Sequence, residues 1–326
     1  MDSVPMDSVP LDDAVARAGA RLGARVRHDV ALGALTTYRV GGAAALLLEA
    51  RDESDLAAAR VAVSETGIPV LVVGGGSNLL VADAGWPGLA VTLGEGFSTI
   101  EVGDAAGTAA PGTDAALARV RAGAAVSLPV LARRTAALSL TGLEWAVGVP
   151  GTVGGAVRMN AGGHGSDVSR TLASVRVFDL DGDGPRQLSP DQLDLAYRRS
   201  SLRPAQVVVW AEFALHRGDR TASEAEIAEI VRWRRANQPG GANGGSVFTN
   251  PPDDSAGRLI EAAGLKGMRR GSAYVSPKHA NFFQADDGGA ADDVRALITE
   301  VQRLVDERMG VRLEPELRMV GFPPAT

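Results

Sequence analysis

The chain has 326 residues, 45% hydrophobic and 22% charged, with a net charge of −6. That is enough polypeptide for two or three domains with substantial cores. The lack of cysteine excludes disulfides, thiolate metal sites, cysteine nucleophiles and cysteinyl-flavin links. The acidic balance argues against nucleic acid as the main partner, and no apolar run has the length of a membrane span.

In chain order, residues 1–10 repeat Met-Asp-Ser-Val-Pro and carry acid where a signal peptide carries base, so a disordered tail or an ambiguous start is expected. Residues 43–50 form an apolar strand-like run, 52–66 an Ala-rich helix stopped by Gly67, and 70–73 a buried strand. Residues 127–140 read as a helix, with Ser127 as N-cap and Pro129 in its first turn. Residues 174–180 and 206–215 read as strands. Composition shifts near 217–220, and Ser223 then opens a helix with capping-box spacing that runs to about Arg235. A short helix over 255–263 ends at Gly264. Residues 292–309 form the clearest helix, with Val294, Leu297, Ile298, Val301, Leu304 and Val305 on one stripe and Gly310 beyond it. Residues 311–320 then alternate as a strand, which puts Glu314 and Glu316 on one face.

Two glycine-dense turns follow apolar runs: Gly74-Gly75-Gly76-Ser77-Asn78-Leu79, and Gly148-Val149-Pro150-Gly151-Thr152-Val153-Gly154-Gly155, which continues to Asn160-Ala161-Gly162-Gly163. Glycine lets consecutive amides converge on an anion, so such turns suit a phosphate-bearing cofactor held by main chain. Neither is a P-loop or a dinucleotide fingerprint, and with 40 glycines in the chain ordinary tight turns are the plainer reading on glycine alone. The four histidines form no metal-ligand spacing; three are read as surface or capping residues, and His279 stands out within Val275-Ser-Pro-Lys-His-Ala-Asn-Phe282. From Arg232 to Lys278 eight basic residues face three acids, which reads as a solvated basic face or as local attraction for a small polyanion. Singly, Tyr197-Arg198, Ser246 and Glu316 each have a plain explanation as a strand-edge pair, a turn hydroxyl and a wet strand face.

Together, the order and spacing of TTYRVGG (36–42), GGGSNLL (74–80), GVPGTVGGAVRMNAG (148–162), AYRRS (196–200), GGSVFTNP (244–251), GLKG (264–267), VSPKHANF (275–282) and LEPELR (313–318) resemble the UDP-N-acetylenolpyruvoylglucosamine reductase (MurB) family over residues 30–322. The short stretch between Arg198 and Ser246 resembles the subclass without an extra tyrosine-bearing loop. Ser272 and Gln284-Ala285 depart from the usual pattern, which bears on the surroundings of His279.

The resemblance implies an α+β fold: a two-subdomain FAD-binding region of the vanillyl-alcohol-oxidase (PCMH) type and a C-terminal α+β substrate domain. The corresponding division is a tail over 1–20, subdomains over 21–97 and 98–217, and a substrate domain over 218–326. It implies noncovalent FAD contacted by Gly74, Gly75, Gly76, Ser77, Asn78, Leu79, Pro150, Gly151, Thr152, Gly154, Gly155, Val157, Asn160 and Gly162. It implies reduction of that FAD by NADPH, then of UDP-N-acetylglucosamine enolpyruvate to UDP-N-acetylmuramate in peptidoglycan synthesis, by a cytoplasmic monomer with no metal, membrane or nucleic-acid partner. Ser246 would be the general acid, Arg198 the carboxylate clamp and Glu316 the polarising carboxylate, with Glu314 as its alternative. Tyr197 and Asn250 would contact substrate, and Arg235, Lys266 and Lys278 would supply charge for the diphosphate. Two other readings stand beside it: an alcohol or aldehyde oxidase of the same FAD fold, and a noncatalytic nucleotide-sugar binding protein.

Overall fold

The computed structural model describes residues 10–103 and 117–323. Its first subdomain is a four-stranded sheet in the order Val26–Ala31, Ala43–Ala50, Trp86–Leu93, Val70–Val72, with the first pair antiparallel and the others parallel. Helix α1 (Leu11–Leu22) presents Ala14, Ala18 and Leu22 four residues apart, and they bury in the core that Leu46 and Leu48 share with α2 (Glu53–Thr66). The expected tail is therefore corrected: residues 11–20 are helix, while 1–9 lie outside the described residues. Helix α2 matches expectation. Asp52 caps it by accepting from the amides of Ser54 and Asp55, and left-handed Gly67 ends it.

The second subdomain is an antiparallel sheet in the order Gly184–Leu188, Leu172–Asp179, Gln206–Arg217, Ala118–Gly123, Ile100–Gly103. Helices α3 (Leu128–Ala137) and α4 (Val153–Met159) pack on it. The helix expected over 127–140 stops at Ala137, because Leu140–Thr141 pairs as a short strand with His216 and Arg217. Phe178, Leu180, Val207 and Val209 share a core with Leu46 and Leu56, so the two subdomains are joined by apolar packing.

Helix α5 (Arg220–Asn237) corrects two further expectations. Its cap is Asp219, which accepts from the Ala222 amide; Ser223 lies inside the helix and donates its hydroxyl to buried Glu144 at 2.6 Å, so there is no capping box. Ile227 and Ile230 bury with Val120, Leu131 and Phe213. The expected boundary at 217/218 thus falls one helix too early, because α5 is part of the second subdomain's core.

Beyond α5, a four-stranded antiparallel sheet in the order Asn243–Ser246, Phe282–Ala285, Ala273–Val275, Arg269–Arg270 packs with α6 (Ala256–Ala262) and α7 (Ala291–Met309). The stripe expected on α7 is buried apart from partly covered Leu304, and Gly310 ends the helix in the left-handed region. The strand expected over 311–320 forms only at Arg318–Val320, consistent with Pro315 having no N–H for a ladder. That strand runs parallel to Leu79–Val81, threading the C-terminal region into the first subdomain. Among the described residues no helix is long and apolar enough to cross a membrane.

Asp55 ties the start of α2 to what precedes it. Its buried carboxylate accepts from Arg51 Nε at 2.9 Å, the Arg51 amide at 3.0 Å and Arg25 Nε at 3.2 Å. The hydrogen bonds from Arg51 hold its pKa down at about 2. A depressed carboxylate stabilises the fold above the ordinary pKa and loses that contribution as pH falls towards the folded value. Asp55→Asn is expected to cost about 1–3 kcal/mol in denaturant titration at pH 7, because it removes charge-assisted bonds from a buried group. The deficit should shrink on acidification; a gap that stays constant would show that the charge is not what stabilises.

Candidate active site

The two glycine turns are in contact. A Cβ on Gly75 would lie 2.9 Å from the Gly151 Cα, one on Gly74 3.0 Å from Thr152 Oγ1, and one on Gly151 2.7 Å from Ser77 Oγ. Gly76 adopts φ 62° and its missing Cβ faces the Leu35 carbonyl. Ser77 Oγ donates to the Pro150 carbonyl at 3.1 Å, linking the turns directly. Among the described residues the amides of Gly74 to Ser77 donate no main-chain hydrogen bond, which leaves a run of unpaired N–H groups beside the join. Such a run fits the phosphates of FAD.

Not every residue expected in that cradle contributes a side chain. Leu79 and Val157 are core residues, so only their main chain is available to a ligand. Gly154 is a packing glycine, with its amide bonded to the Ala124 carbonyl and its Cα against Ala124. Thr152 caps α4 by accepting from Gly155. Pro150, Gly151 and exposed Gly155 remain at the join.

Asn160 and Gly162 have a structural role in holding Arg198. Asn160 ends α4 at φ 39°, is 3% exposed, donates from Nδ2 to the Ala196 carbonyl at 3.0 Å and accepts from the Ser169 amide. Ala196 and Arg199 exchange main-chain hydrogen bonds at 3.0 Å, making Tyr197-Arg198 the centre of a two-residue turn. Arg198 takes φ 56° there, a conformation glycine would adopt more cheaply. Its Nη2 donates to the Gly162 carbonyl at 2.9 Å and its Nε pairs with Glu316 Oε1 at 2.9 Å. Thus Asn160, by its side chain, and Gly162, by its carbonyl, hold the Arg198 turn.

Glu316 is set from two sides. Its amide donates to the Val247 carbonyl at 2.8 Å, one residue beyond Ser246, and its carbonyl accepts Asn78 Nδ2 at 3.1 Å. Burial raises its pKa above the usual carboxylate range, against the opposing attraction and hydrogen bond of Arg198. The alternative carboxylate, Glu314, lines a separate cavity of about 230 Å³ with Asn250 and Arg312, so it is Glu316 that meets the guanidinium. Ser246 pairs with Phe282 across the sheet, and its hydroxyl donates to no described group. Of the three residues singled out in the sequence, Arg198 and Glu316 are in direct contact, and the Glu316 amide is bonded to Val247, the residue after Ser246.

The other candidates are more dispersed. Tyr197 is 57% exposed, with the Arg198 guanidinium 4.8 Å from its ring centre. Asn250 Oδ1 accepts from the Ala256 amide, so half of its amide group serves the start of α6. Lys278 Nζ donates to the Arg235 carbonyl at 2.6 Å, bringing those two expected residues together at the end of α5, whereas Lys266 is paired with Glu261 at 2.8 Å. His279 is partly buried and His164 is exposed, and desolvation lowers both pKa values. His279 Nδ1 accepts from the Asn281 amide.

Asn281 and Thr37 carried no expected role. Asn281 is 3% exposed and brackets Phe248, accepting its amide at 3.0 Å and donating to its carbonyl at 2.8 Å. A polar residue flanked by Ala280, Phe282 and Phe283 was the available signal, since a buried amide needs partners.

The "UDP-N-acetylenolpyruvoylglucosamine reductase, C-terminal domain" family matches residues 237–320, and "FAD binding domain" matches 44–184. The UDP-N-acetylenolpyruvoylglucosamine reductase of Rubrobacter xylanophilus is 42% identical over 93% of this chain and 98% of its own length. That of Myxococcus xanthus is 41% identical over 92% and 93%. The crystal structure of UDP-N-acetylenolpyruvylglucosamine reductase (MurB) from Thermus caldophilus superposes with a TM-score of 0.75 at 35% identity, covering 90% of this chain and 98% of that one. With the glycine cradle and the joined Arg198 and Glu316, these likenesses place the chain in the MurB family of FAD-binding UDP-N-acetylenolpyruvoylglucosamine reductases.

Proposed function

We propose that the chain reduces UDP-N-acetylglucosamine enolpyruvate to UDP-N-acetylmuramate at the site where Arg198, Glu316 and the Ser246 strand meet. The supporting observation is the 2.9 Å pair between Arg198 and Glu316, made while the Glu316 amide is bonded to the residue after Ser246. When bound, FAD supplies the hydride that it has taken from NADPH. The hydride goes to the terminal methylene carbon of the enolpyruvyl group, and a proton must reach the adjacent carbon, which bears the ether oxygen and the carboxylate.

Ser246 holds that proton. A hydroxyl is a weak acid, and a short strand fixed at both ends gives it the geometry that this role demands. Arg198 meets the charge that builds on the substrate carboxylate. Its Nε and Nη2 are engaged by Glu316 and Gly162, so the guanidinium is fixed before substrate arrives and Nη1 remains for the carboxylate. Glu316 orients Arg198 and keeps the pair close to neutral until a second carboxylate enters. Tyr197 and the free side of Asn250 contact the substrate, and Arg235 with Lys278 draws the diphosphate. Lys266, already paired, is the weakest member of that group. The partners are small molecules, and the setting is a cytoplasmic monomer with neither membrane nor nucleic acid involved.

Ser246→Ala should leave flavin reduction by NADPH within about twofold in stopped-flow. It should slow the half-reaction with the enolpyruvyl substrate by about 10²–10⁴-fold, the usual contribution of a positioned acid. Equal slowing of both halves would overturn the assignment. Arg198→Lys cannot reproduce the contacts to Glu316 and Gly162, and should reduce the second half-reaction about 10²–10³-fold; near-normal turnover would remove Arg198 from its role.

The raised pKa of Glu316 also gives a pH dependence. It is ionised only above a pKa higher than that of free glutamate, so the enolpyruvyl half-reaction should fall on acidification before an ordinary carboxylate would protonate. Glu316→Gln should lack this acid limb, and a limb that persists unchanged would assign it to another group.

A further inference from the structure

The strand that carries Ser246 is irregular. Asn243 pairs with Gln284 and Ser246 with Phe282, so two residues, Gly244 and Gly245, stand opposite the single Phe283. This is a bulge made of glycines, with Gly245 at φ 77°. A bulge re-aims the next side chain, and a glycine pair gives it little stiffness of its own. Beyond Ser246 the chain is held by Asn281, whose carbonyl accepts the Val247 amide at 2.9 Å and whose side chain brackets Phe248. Before the bulge, the Asn243 carbonyl accepts a 2.6 Å hydrogen bond from Thr37 Oγ1.

Thr37 belongs to the flavin side of the site. Its amide donates to the Gly76 carbonyl at 3.1 Å, inside the first glycine turn. Its hydroxyl also lies 3.4 Å from that carbonyl, but its one proton goes to the much closer Asn243 oxygen. Next to it, the buried Tyr38 ring fills the space over Gly244, where a Cβ would come within 2.6 Å. One residue therefore connects the cofactor turn by its main chain to the serine strand by its side chain.

Resting on the assignment of Ser246 as proton donor, we propose that Thr37 is a positioning residue for the protonation step. Its hydroxyl fixes the near end of the glycine bulge against the flavin turn and so sets where the Ser246 oxygen stands relative to the bound cofactor. Thr37 touches neither the reacting carbons nor the proton in transit and acts wholly through the Asn243–Ser246 strand.

The test uses the flavin-loaded enzyme. Thr37→Val keeps the shape and the amide bond to Gly76 but removes the donor to Asn243, and should slow the enolpyruvyl half-reaction on the order of 10- to 100-fold, the scale of effects of small misplacements. NADPH-driven reduction should stay within about twofold, kcat should fall with little change in KM, and Thr37→Ser should recover most of the rate because it restores the hydroxyl. Thr37→Ala reads the same bond should valine be poorly accommodated. A second readout needs no turnover: in flavin-free protein, hydrogen exchange of the peptide covering 243–246 should quicken in Thr37→Val and not in Thr37→Ser. If Thr37→Val leaves both half-reactions and the exchange unchanged while Ser246→Ala remains slow, the positioning role is wrong and the proton donor stands. If Ser246→Ala is itself without effect, the donor assignment fails. If serine does not rescue, the residue serves packing and the proposal is overturned.

Discussion

The site depends on a steric constraint: backbone meets backbone where the two glycine turns join. With 2.9 Å between a built Cβ on Gly75 and the Gly151 Cα, any side chain at Gly75 would force the turns apart. That approach brings a run of unpaired amides to one place and lets Ser77 bond to Pro150. The cofactor surface is thus made by excluding side chains, which is why it contains so few chemically distinctive residues. The reactive groups are brought to it by other segments.

Arg198 illustrates how strain and charge are combined there. A non-glycine residue in the left-handed region costs on the order of 1 kcal/mol, and glycine would avoid that cost but has no guanidinium. The turn is retained by reciprocal bonds between Ala196 and Arg199 and by Asn160 beneath it. Glu316 then provides the counter-charge in a half-buried setting, where a lone carboxylate would tend to protonate. Each member of the pair makes the other's burial tolerable, and Glu316 together with the Gly162 carbonyl commits two of the three guanidinium nitrogens in advance. On the proposed reading, a substrate carboxylate entering beside Glu316 would meet a preset cation and a like charge together, which would couple its binding to the ionisation of Glu316.

Much of this was legible in the sequence where a signal is local. The stripe on α7, the Asp52 and Gly67 limits of α2, and Ser255 before α6 all follow from spacing and capping chemistry, and the structure has them. The joint motif pattern singled out Arg198 and Glu316, far apart in the chain, and the structure pairs them at 2.9 Å. What failed depended on partners distant in the chain. Ser223 has the spacing of a cap but bonds to Glu144, 79 residues away. Period-two alternation over 311–320 made Glu314 and Glu316 equivalent, and Pro315 with the pairing to Leu79–Val81 made them different. Helix α1 was hidden behind a repetitive acidic start, although its four-residue spacing of Ala14, Ala18 and Leu22 was present.

The way the C-terminal region is attached bears on how the site works. A domain that swung freely over the cofactor would be joined by a linker and a wet interface. Here Arg318–Val320 extends Leu79–Val81 as a strand, Asp83 accepts from the amides of Ala291 and Asp292 at the start of α7, and Asn78 bonds to the Glu316 carbonyl. Each such bond contributes about 0.5–1.5 kcal/mol, and all of them lie within a few residues of the first glycine turn. They anchor the region that holds Glu316 and Ser246 to the first subdomain. Arg198 arrives from the second subdomain, and its pairing with Glu316 ties that subdomain to the C-terminal region. The Arg198–Glu316 pair therefore also works as a seam: it exists only while the second subdomain and the C-terminal region are in register beside the glycine turns.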